Sequence, residues 1–405
     1  MPTDPSTPRR PGGDDAYVVD TRRRPKRPGG GATAPSRADE RSPGPGAPGT
    51  DHVDTRGRAG SPARPAGAPP RGPRYRWRKG RMALIVLLVL LLAWIGFMVW
   101  VPMQAWGAVN KVDNIPGGER PTDTSGYNYL LVGSDSREGL TKQQRKKYAT
   151  GNAEGNRTDT IMLVHVPEAG GKPVMVSLPR DSYVPIPGHG SNKINAAYSI
   201  GGPKLLTNTV EQVTGIHVDG YIEIGLGGFA AVVDSVGGVD LCVPRDMSDK
   251  KAGIDLKKGC QTLDGGNALG YVRSRYEDPL GDIGRAARQR QFLGALMKKA
   301  ATPSTVLIPW RYKSFADASA AGLAVGTETG IMDAVRVLQA MRAVSNDEGL
   351  SLSVPTSDLA YRTSAGALAV KWDTERAKAL FKALKDDEPL TEPPPGTTVE
   401  GAQNS

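Results

Sequence analysis

A run of uncharged, mostly apolar residues begins at Met82 and ends at Met103. As an α-helix it is long enough to cross a hydrocarbon core of roughly 30 Å. Trp94, Trp100 and Trp106 fall in or just beyond its second half, where aromatic residues line a membrane–water boundary. A cleaved signal peptide is the competing interpretation, but the run is longer than such a segment, starts late and has no clear cleavage site after it. The run therefore predicts one retained transmembrane helix over residues 82–103.

The segment before this run, residues 1–81, is rich in Pro, Gly, Arg, Asp and Ser. It cannot bury enough apolar surface to offset the entropy lost on ordering, so we predict a disordered tail. It holds 18 of the 52 basic and 8 of the 42 acidic residues, which leaves 34 of each in the rest of the chain. The entire net charge of +10 therefore lies in this tail. The remainder gives nucleic-acid binding no support from bulk charge.

The cluster of Arg and Lys directly before the apolar run predicts the orientation of the chain. Positive residues favour the cytoplasmic side, so the tail is expected inside the cell and everything from about Gln104 outside it. This placement excludes cytoplasmic enzymes. We expect a linker over 104–124, an extracytoplasmic globular domain over 125–385, and an acidic, Pro-rich disordered tail over 386–405.

The two cysteines, Cys242 and Cys260, both lie on the predicted outer side, where thiols oxidise. The polar, lysine-rich connection between them has the composition of a hairpin or loop. A disulfide closing this connection is the favoured interpretation, and two unpaired buried thiols are the alternative. Metal ligation is disfavoured because no histidine is near.

The domain alternates between segments typical of strands and segments typical of helices. Strands are predicted at 127–133, 160–166, 173–178, 221–224, 239–243, 270–275 and around 350–354. Helices are predicted at 195–214, at 227–236, from the segment after residue 275 to about residue 301, at 333–344 and at 374–384. This order predicts an α/β fold, a three-layer α-β-α sandwich with a central mixed sheet.

Two groups of polar side chains suggest an anion site. On the predicted extended segment Arg273 and Arg275 are two residues apart and share a face. On the following helix Arg285, Arg288 and Gln289 have i, i+3, i+4 spacing and also share a face. A helix N-terminus carrying arginines suits a phosphate or diphosphate. The alternative is a solvated basic face on an ordinary surface helix.

Two aspartates are predicted at one end of the sheet. Asp135 ends the first strand, Asp159 immediately precedes the second, and Arg157 lies two residues before it. If the strands are neighbours, both carboxylates reach the sheet end where open α/β folds bind ligands. Paired carboxylates beside arginines suit a hard divalent cation, Mg²⁺ or Mn²⁺. Each aspartate alone is more typical of a turn or helix cap, and it is their joint position at strand ends beside Arg157 that favours the metal site.

The loop after the third predicted strand carries Arg180 and Asp181. We place it on the same rim of the sheet, and a mutual surface salt bridge is the alternative. Asn195 opens the next helix and is explained equally well as its N-cap. The four histidines, at 52, 165, 189 and 217, are scattered and lack metal-ligand spacing, and no Ser-His-Asp or Cys-His arrangement is found.

Several separated motifs occur between residues 125 and 384 and read, in order, LLVGSDSR, NRTDTIMLVHV, SLPRDSYVPIPG, KINAAYSIGG, GGVDL, LDGGNALGYVRSR and GDIGRAARQRQ. Taken together and in this order, they resemble the LytR-CpsA-Psr family of bacterial wall proteins. A disordered tail and single span before the domain also resemble the family layout.

The resemblance implies a phosphotransferase acting on cell-wall material. Its donor would be a polyprenyl-diphosphate-linked glycan and its acceptor peptidoglycan, at the 6-hydroxyl of N-acetylmuramic acid. It implies Asp135 and Asp159 as ligands of Mg²⁺ or Mn²⁺. The diphosphate-binding residues that it implies are Arg157, Arg180, Arg273, Arg275, Arg285 and Gln289. The catalytic set is then Arg157, Arg180, Asp181 and Arg275.

An apolar cavity must accept the prenyl tail in such a reaction. Eight helix residues are candidates to line it, although ordinary core packing explains each one separately: Leu205, Leu206, Val210, Phe229, Val232, Val233, Phe292 and Leu296. Three other functions compete with the transferase: a diphosphatase that delivers the same phosphorus to water, a membrane-bound transcription attenuator, and a non-catalytic scaffold that binds polyprenyl phosphate. The predicted topology disfavours the attenuator.

Overall fold

A computed structural model describes residues 74–136, 141–148, 150, 157–168, 170–274 and 281–398, without the side chains of 74–77, 281–287 and 290. The predictions for the tail up to residue 73, for Arg275 and for the Arg285 side chain lie outside the described residues.

Fifteen strands are present in the described part of the chain. In chain order they are β1 Asn110–Val112, β2 Tyr127–Ser134, β3 Thr158–Val166, β4 Val174–Ser177, β5 Tyr183–Ile186, β6 Gly190–Lys193, β7 Gly220–Ile224, β8 Val239–Val243, β9 Met247–Asp249, β10 Ile254–Leu256, β11 Gly259–Leu263, β12 Leu323–Gly326, β13 Leu350–Ser353, β14 Thr356–Arg362 and β15 Leu368–Trp372. Seven of them form one sheet in the order β1-β12-β7-β2-β3-β4-β13, and the others form two-stranded sheets.

Ten helices occur in the same part of the chain. They are α1 Arg74–Gly107, α2 Lys142–Lys147, α3 Ile194–Thr214, α4 Leu226–Ser235, α5 Gly265–Arg273, α6 Gly281–Ala300, α7 Pro303–Val306, α8 Pro309–Gly322, α9 Ile331–Ser345 and α10 Thr374–Lys385.

The seven-stranded sheet is mixed and is covered on both faces, which confirms the three-layer α/β prediction. The pair β2–β7 is parallel and the pair β2–β3 antiparallel. Alternate residues of β2 point to opposite faces. Leu130 and Val132 pack with α3 and α10 in one core, whereas Tyr129 packs with α9 in another. The continuous apolar run of β2 is therefore explained by burial on both sides.

The predicted strand over 270–275 is wrong for its described residues. Residues 270–273 belong to α5 and Ser274 is its C-cap; the helix begins after Asp264, whose side chain accepts a hydrogen bond from the backbone N–H of Asn267. A short apolar run does not distinguish a strand from a buried helix. The N-cap and the helical spacing of Ala268, Leu269 and Val272 decide for the helix, and all three are buried. Arg273 is therefore the last residue of a helix and not part of an extended chain.

The predicted helix over 195–214 is present as α3 but is interrupted near its first third. Gly201 and Gly202 have non-helical backbone angles, and Gly202 has φ of 62°, a conformation that side chains disfavour. Pro203 follows directly and is tolerated at the start of a new helical turn. The glycine pair therefore separates a short N-terminal part, whose N-cap Lys193 contacts Asp181, from a longer part packed on the sheet.

The apolar run lies within α1, which is long and apolar enough over Arg78–Gly107 to cross a membrane. This fits a single-pass membrane protein. Two predicted boundaries differ from the structure. The predicted linker contains β1, which pairs with β12 at the edge of the sheet. In the predicted C-terminal tail Thr397 is buried and Asp387 lies 3.0 Å from His165. Residues 386–398 therefore pack on the domain and do not form a loose tail.

The predicted disulfide is present. Cys242 and Cys260 lie directly opposite each other on the antiparallel pair β8–β11 and are bonded. Their separation of 18 residues closes a short loop in the unfolded chain.

We expect loss of this disulfide to lower the free energy of unfolding by about 3 kcal/mol, because the unfolded chain regains the entropy of an open loop. Thermal unfolding of the protein with Cys242→Ser and Cys260→Ser measures this. A reductant should destabilise the native protein by the same amount and leave the double variant unchanged. Equal stability of the two proteins would contradict the prediction.

Candidate functional site

The first part of the site is an irregularity in the pairing of β2 with β3. Gly133 pairs with Thr160 and Ser134 pairs with Thr158, so Asp159 is the extra residue of a β-bulge. Bulges alter the direction of a side chain at the end of a strand pair and are frequent beside active sites. Here the bulge gives Asp159 a position that regular pairing would not.

Asp135 and Arg157 face each other immediately beyond this bulge. The backbone N–H of Arg157 donates to Asp135 Oδ1 at 2.6 Å, and the backbone N–H of Asp135 donates to the Arg157 carbonyl at 2.8 Å. The predicted neighbouring strands are thus confirmed, and both aspartates lie at the same end of the strand pair. The Arg157 residue is exposed, so its guanidinium is accessible to a ligand.

The loop after β4 joins this group through Arg180. The Arg180 guanidinium forms an ion pair with Asp159, and its Nε lies 3.4 Å from Asp181 Oδ2. Lys193 Nζ donates to Asp181 Oδ1 at 2.8 Å. The predicted alternative, a salt bridge between Arg180 and Asp181, is therefore one contact in a chain of ion pairs that runs from Asp159 through Arg180 and Asp181 to Lys193.

The N-cap of α3 is Lys193, not Asn195. The backbone N–H of Asn195 donates to the Arg180 carbonyl at 3.2 Å. This bond connects the start of α3 with the loop that carries Arg180, and it brings Lys193 to Asp181. In the sequence Lys193 begins the motif KINAAYSIGG and precedes a predicted helix start, but neither signal assigns the lysine to the site.

The pKa of the Asp181 carboxyl is lowered. Burial raises it, but the hydrogen bond from Lys193 and the charges of Arg180 and Lys193 together outweigh burial. A carboxyl with a lowered folded pKa stabilises the fold above its unfolded pKa, and this contribution disappears as the pH falls through the folded value.

We therefore expect the stability difference between the native protein and Lys193→Met to be largest above about pH 4, the ordinary pKa of an aspartate, and to shrink on further acidification. Thermal unfolding as a function of pH measures it. Lys172→Met is the matched control, since Lys172 donates to the Thr391 carbonyl, which does not titrate. A difference that grows at low pH would contradict the assignment.

A buried polar network lies beneath the aspartates. Glu223 on β7 accepts hydrogen bonds from Tyr198 at 2.7 Å and from Tyr221 at 2.6 Å. Burial, followed by the bond to Glu223, raises the pKa of Tyr198, which also interacts with Ser134 and Asp135. Both tyrosines are therefore neutral donors. In the sequence, Glu223 occupies an alternating strand position typical of an exposed residue, so nothing indicated this network.

The arginine helix α6 meets the C-terminal end of α5. Arg288 is buried and donates to the Ser274 carbonyl at 2.6 Å, and Ser274 in turn donates to Asp249 at 3.0 Å. Gln289 Nε2 lies 3.4 Å from the Val272 carbonyl. Arg288 and Gln289 therefore both contact the C-terminal end of α5, and the face predicted for Arg285, Arg288 and Gln289 is described only for these two. Arg288 therefore supports the chain around Ser274, directly after Arg273.

The apolar residues proposed to line a cavity fall into two separate cores. Leu206 and Val210 are buried between α3 and the sheet, whereas Val233, Phe292 and Leu296 are buried with α4, α5 and α6. Core packing therefore explains these five side chains and also Val232, while Leu205 and Phe229 are partly buried against the same two cores. The lining of a prenyl cavity by any of these residues stays a prediction.

One further cluster lies at the opposite end of β2. Ligand atoms of Asp123, His217 and Asp219 are within 4.8 Å of one another. The backbone N–H of Asn128, near the start of β2, donates to Asp219 at 2.6 Å, so the cluster is separated from Asp135 by the length of the strand. The scattered positions of the histidines in the sequence concealed this contact of His217.

Comparisons with known proteins agree with this architecture. Residues 104–386 match the model of the LytR_cpsA_psr family. The chain is 41% identical over 307 residues to the probable cell wall biosynthesis protein LcpB of Corynebacterium glutamicum, covering 76% of this chain and 71% of that protein. It is 34% identical over 238 residues to the polyisoprenyl-teichoic acid–peptidoglycan teichoic acid transferase TagU of Oceanobacillus iheyensis, covering 55% of this chain and 69% of TagU.

A solved structure extends this similarity to the fold. The crystal structure of B. subtilis TagV superposes with a TM-score of 0.51 at 27% identity, covering 66% of this chain and 98% of that one. The family model spans the predicted linker, the central sheet and the loops that carry Asp135, Arg157 and Arg180. It also spans α5 and α6, which carry predicted anion-binding residues. The chain therefore belongs to the LytR-CpsA-Psr family.

Proposed function

We propose that this protein is a membrane-anchored phosphotransferase of cell-wall assembly. It moves a wall glycopolymer from a polyprenyl-diphosphate lipid to the 6-hydroxyl of N-acetylmuramic acid in peptidoglycan, and it leaves a phosphodiester link. The relatives named above for cell wall biosynthesis and for teichoic acid transfer to peptidoglycan support this class of reaction.

One arrangement carries the proposal. Asp135 and Asp159 lie at the end of β2 and β3 together with Arg157 and Arg180. Two carboxylates beside two arginine residues suit a diphosphate whose charge is shared between a divalent cation and arginines. The partly exposed Asp159 and Arg180, at 43% and 22% side-chain exposure, leave this group accessible from solvent.

The donor set also fits the expected metal. Asp135 and Asp159 would hold Mg²⁺ or Mn²⁺, since hard cations prefer carboxylate oxygens. When bound, the ion supplies positive charge to the phosphate oxygens. Arg180 and the metal would then share the carboxylate of Asp159, which is ion-paired with Arg180 in this structure.

The protein's own residues stabilise the charge that develops during transfer. A bond forms between the acceptor hydroxyl oxygen, which loses its proton to solvent, and the sugar-linked phosphorus, and the bond from that phosphorus to the oxygen of polyprenyl phosphate breaks. Negative charge grows on the phosphoryl and leaving oxygens. We expect Arg157 and Arg180 to stabilise this charge, and the family resemblance adds Arg273, Arg275, Arg285 and Gln289 to the same role. Asp181 and Lys193 hold Arg180 in position.

The test uses the full chain in lipid nanodiscs with a lipid-linked glycan donor, with and without peptidoglycan fragments. We expect polyprenyl phosphate to be released and the glycan to become attached to the acceptor, and a chelator to abolish both. Glycan monophosphate released without attachment would replace the transferase with a diphosphatase. Tight binding of the donor without turnover would indicate a scaffold.

A further inference from the structure

We propose that the corner between α7 and α8, Leu307–Tyr312, is seated in the membrane leaflet nearer the domain. There it locks the domain to α1, so that the end of the sheet carrying Asp135 faces the bilayer. This inference rests on the membrane anchor proposed above and adds to it a second contact with lipid and a fixed orientation.

The contact begins with a carbonyl that α1 itself cannot satisfy. In an α-helix the carbonyl of Met98 accepts from the N–H of residue 102. That residue is Pro102, which has no N–H. The Tyr312 hydroxyl on α8 donates to the Met98 carbonyl at 3.1 Å. An unsatisfied carbonyl in a hydrocarbon environment is costly, so this bond gives α8 a specific reason to remain beside α1.

Apolar packing extends this contact along both helices. The rings of Phe97 and Tyr312 are 6.3 Å apart. About two turns further along each helix, Ala105 and Ala320 are buried together in one apolar cluster. The two helices therefore run in the same direction. Each position in α1 lies beside a position about 214 residues later in α8, which is the separation of Met98 and Tyr312.

This pairing places the beginning of α8 at membrane depth. Met98 lies five residues before Met103, the end of the apolar run, which is roughly 7 Å along the helix axis. Leu307 and Trp310 precede Tyr312, and the direction of α8 carries them deeper.

Both of these side chains are exposed, at 58% for Leu307 and 72% for Trp310. Exposed Arg311 lies directly beside Trp310. An exposed tryptophan flanked by a cation is typical of the boundary between acyl chains and phosphate headgroups. A lipid surface therefore fits this corner, and it provides a cover for two large apolar groups.

The sheet register connects this corner with the candidate site. Three residues after α1 ends, Asn110 pairs with Ala324, Ala324 pairs with Glu223, and Glu223 pairs with Val132. Val132 is three residues before Asp135. Three strand spacings amount to roughly 14 Å. The anchor helix therefore enters the sheet at the same end at which the aspartates leave it.

The α8 helix is held tightly to the helix next to the site. Its last residue, Gly322, approaches Gly228 of α4 so closely that a Cβ at position 228 would lie 2.2 Å from the Gly322 carbonyl oxygen. The residue before α4, Gly225, lies beside Ser136, next to Asp135. The sequence of contacts from α1 through α8 and α4 to Ser136 leaves little freedom for the domain to tilt.

Spin labels measure the depth of this corner in the full chain. Under non-reducing conditions the native cysteines are bonded to each other, so a nitroxide reacts only with an introduced thiol. Three variants are reconstituted separately in phosphatidylcholine–phosphatidylglycerol vesicles: Trp310→Cys, Leu90→Cys in α1, and Met332→Cys. Met332 is a matched exposed apolar residue, 59% accessible, that follows β12 at the opposite end of the sheet. Collision rates with oxygen, which partitions into lipid, and with a water-soluble nickel chelate are compared.

We expect the ratio of oxygen to nickel collisions to be several-fold higher for the Trp310→Cys label than for the Met332→Cys label. The Leu90→Cys label should also show a high ratio, as expected for a position in lipid. The proposed seating would be overturned, and the anchor left intact, if Trp310→Cys and Met332→Cys gave equal ratios while the Leu90→Cys label lay in lipid. A water-exposed label on Leu90→Cys would instead overturn the anchor. Transfer activity measured in the same vesicles tests the proposed function separately from the depth of the labels.

Discussion

Replacing Asp135 with asparagine is expected to lower glycopolymer transfer by about a hundredfold, the scale associated with removing one stabilising charge from a polar active site. The amide oxygen of the variant still accepts the bond from the Arg157 N–H, which the native carboxylate accepts at 2.6 Å. The loop should therefore keep its shape while the negative charge is lost. Asp159→Asn should have a similar effect, because it also breaks the ion pair with Arg180.

Transfer rates with a lipid-linked donor and the affinity for Mn²⁺, measured by electron paramagnetic resonance, should fall together in both variants. Asp113→Asn is the matched control, since Asp113 forms an exposed ion pair with Lys204 near the start of the domain. We expect no change in either measurement for it. Native Mn²⁺ affinity in both site variants would exclude the two-aspartate metal site, whereas loss of activity with native affinity would leave the aspartates a different catalytic role.

The largest effect on stability is expected for Arg120→Ala, at about 3–5 kcal/mol. Glu211 on α3 is fully buried, and Arg120 Nη2 donates to its Oε1 at 2.6 Å and to the Val218 carbonyl at 2.9 Å. Without the guanidinium, a buried carboxylate loses its charge partner while still accepting the Val218 N–H at 3.0 Å. Chemical denaturation followed by circular dichroism measures the loss.

Two comparisons identify the cause of that loss. Adding Glu211→Gln to the Arg120→Ala variant should restore part of the stability, because the amide still accepts the Val218 bond and carries no charge. Lys204→Ala removes the exposed partner of Asp113 and should change stability by less than about 1 kcal/mol. If Arg120→Ala costs no more than Lys204→Ala, the buried pair does not stabilise the fold.

The strands of the central sheet were predictable because their signal is local. The apolar runs of β2, β3 and β4 are long, bounded by polar residues and buried on both faces, and the structure has all three within one or two residues. The strand prediction over 270–275 failed because Asp264 caps a helix whose apolar spacing a short window does not separate from a strand.

The candidate site was predictable in part. Asp135, Arg157, Asp159 and Arg180 follow or precede recognisable strands, and the structure brings them to one end of β2 and β3. Lys193 and Glu223 were not recognised. Their roles come from contacts with Asp181, Tyr198 and Tyr221, and only the Tyr221 contact is close in the sequence.

By itself, the sequence determined the apolar span, the concentration of charge in the N-terminal tail, the α/β class and the family, because each depends on composition, periodicity or the order of motifs along the chain. Only the tertiary structure decided that Asp159 lies in a bulge facing Arg180, that Arg288 is buried against α5, and that Tyr312 completes the helix at Met98. The physical reason is that a donor and an acceptor far apart in the chain have no common local signal. Their contact depends on the register of strands and the packing of helices between them.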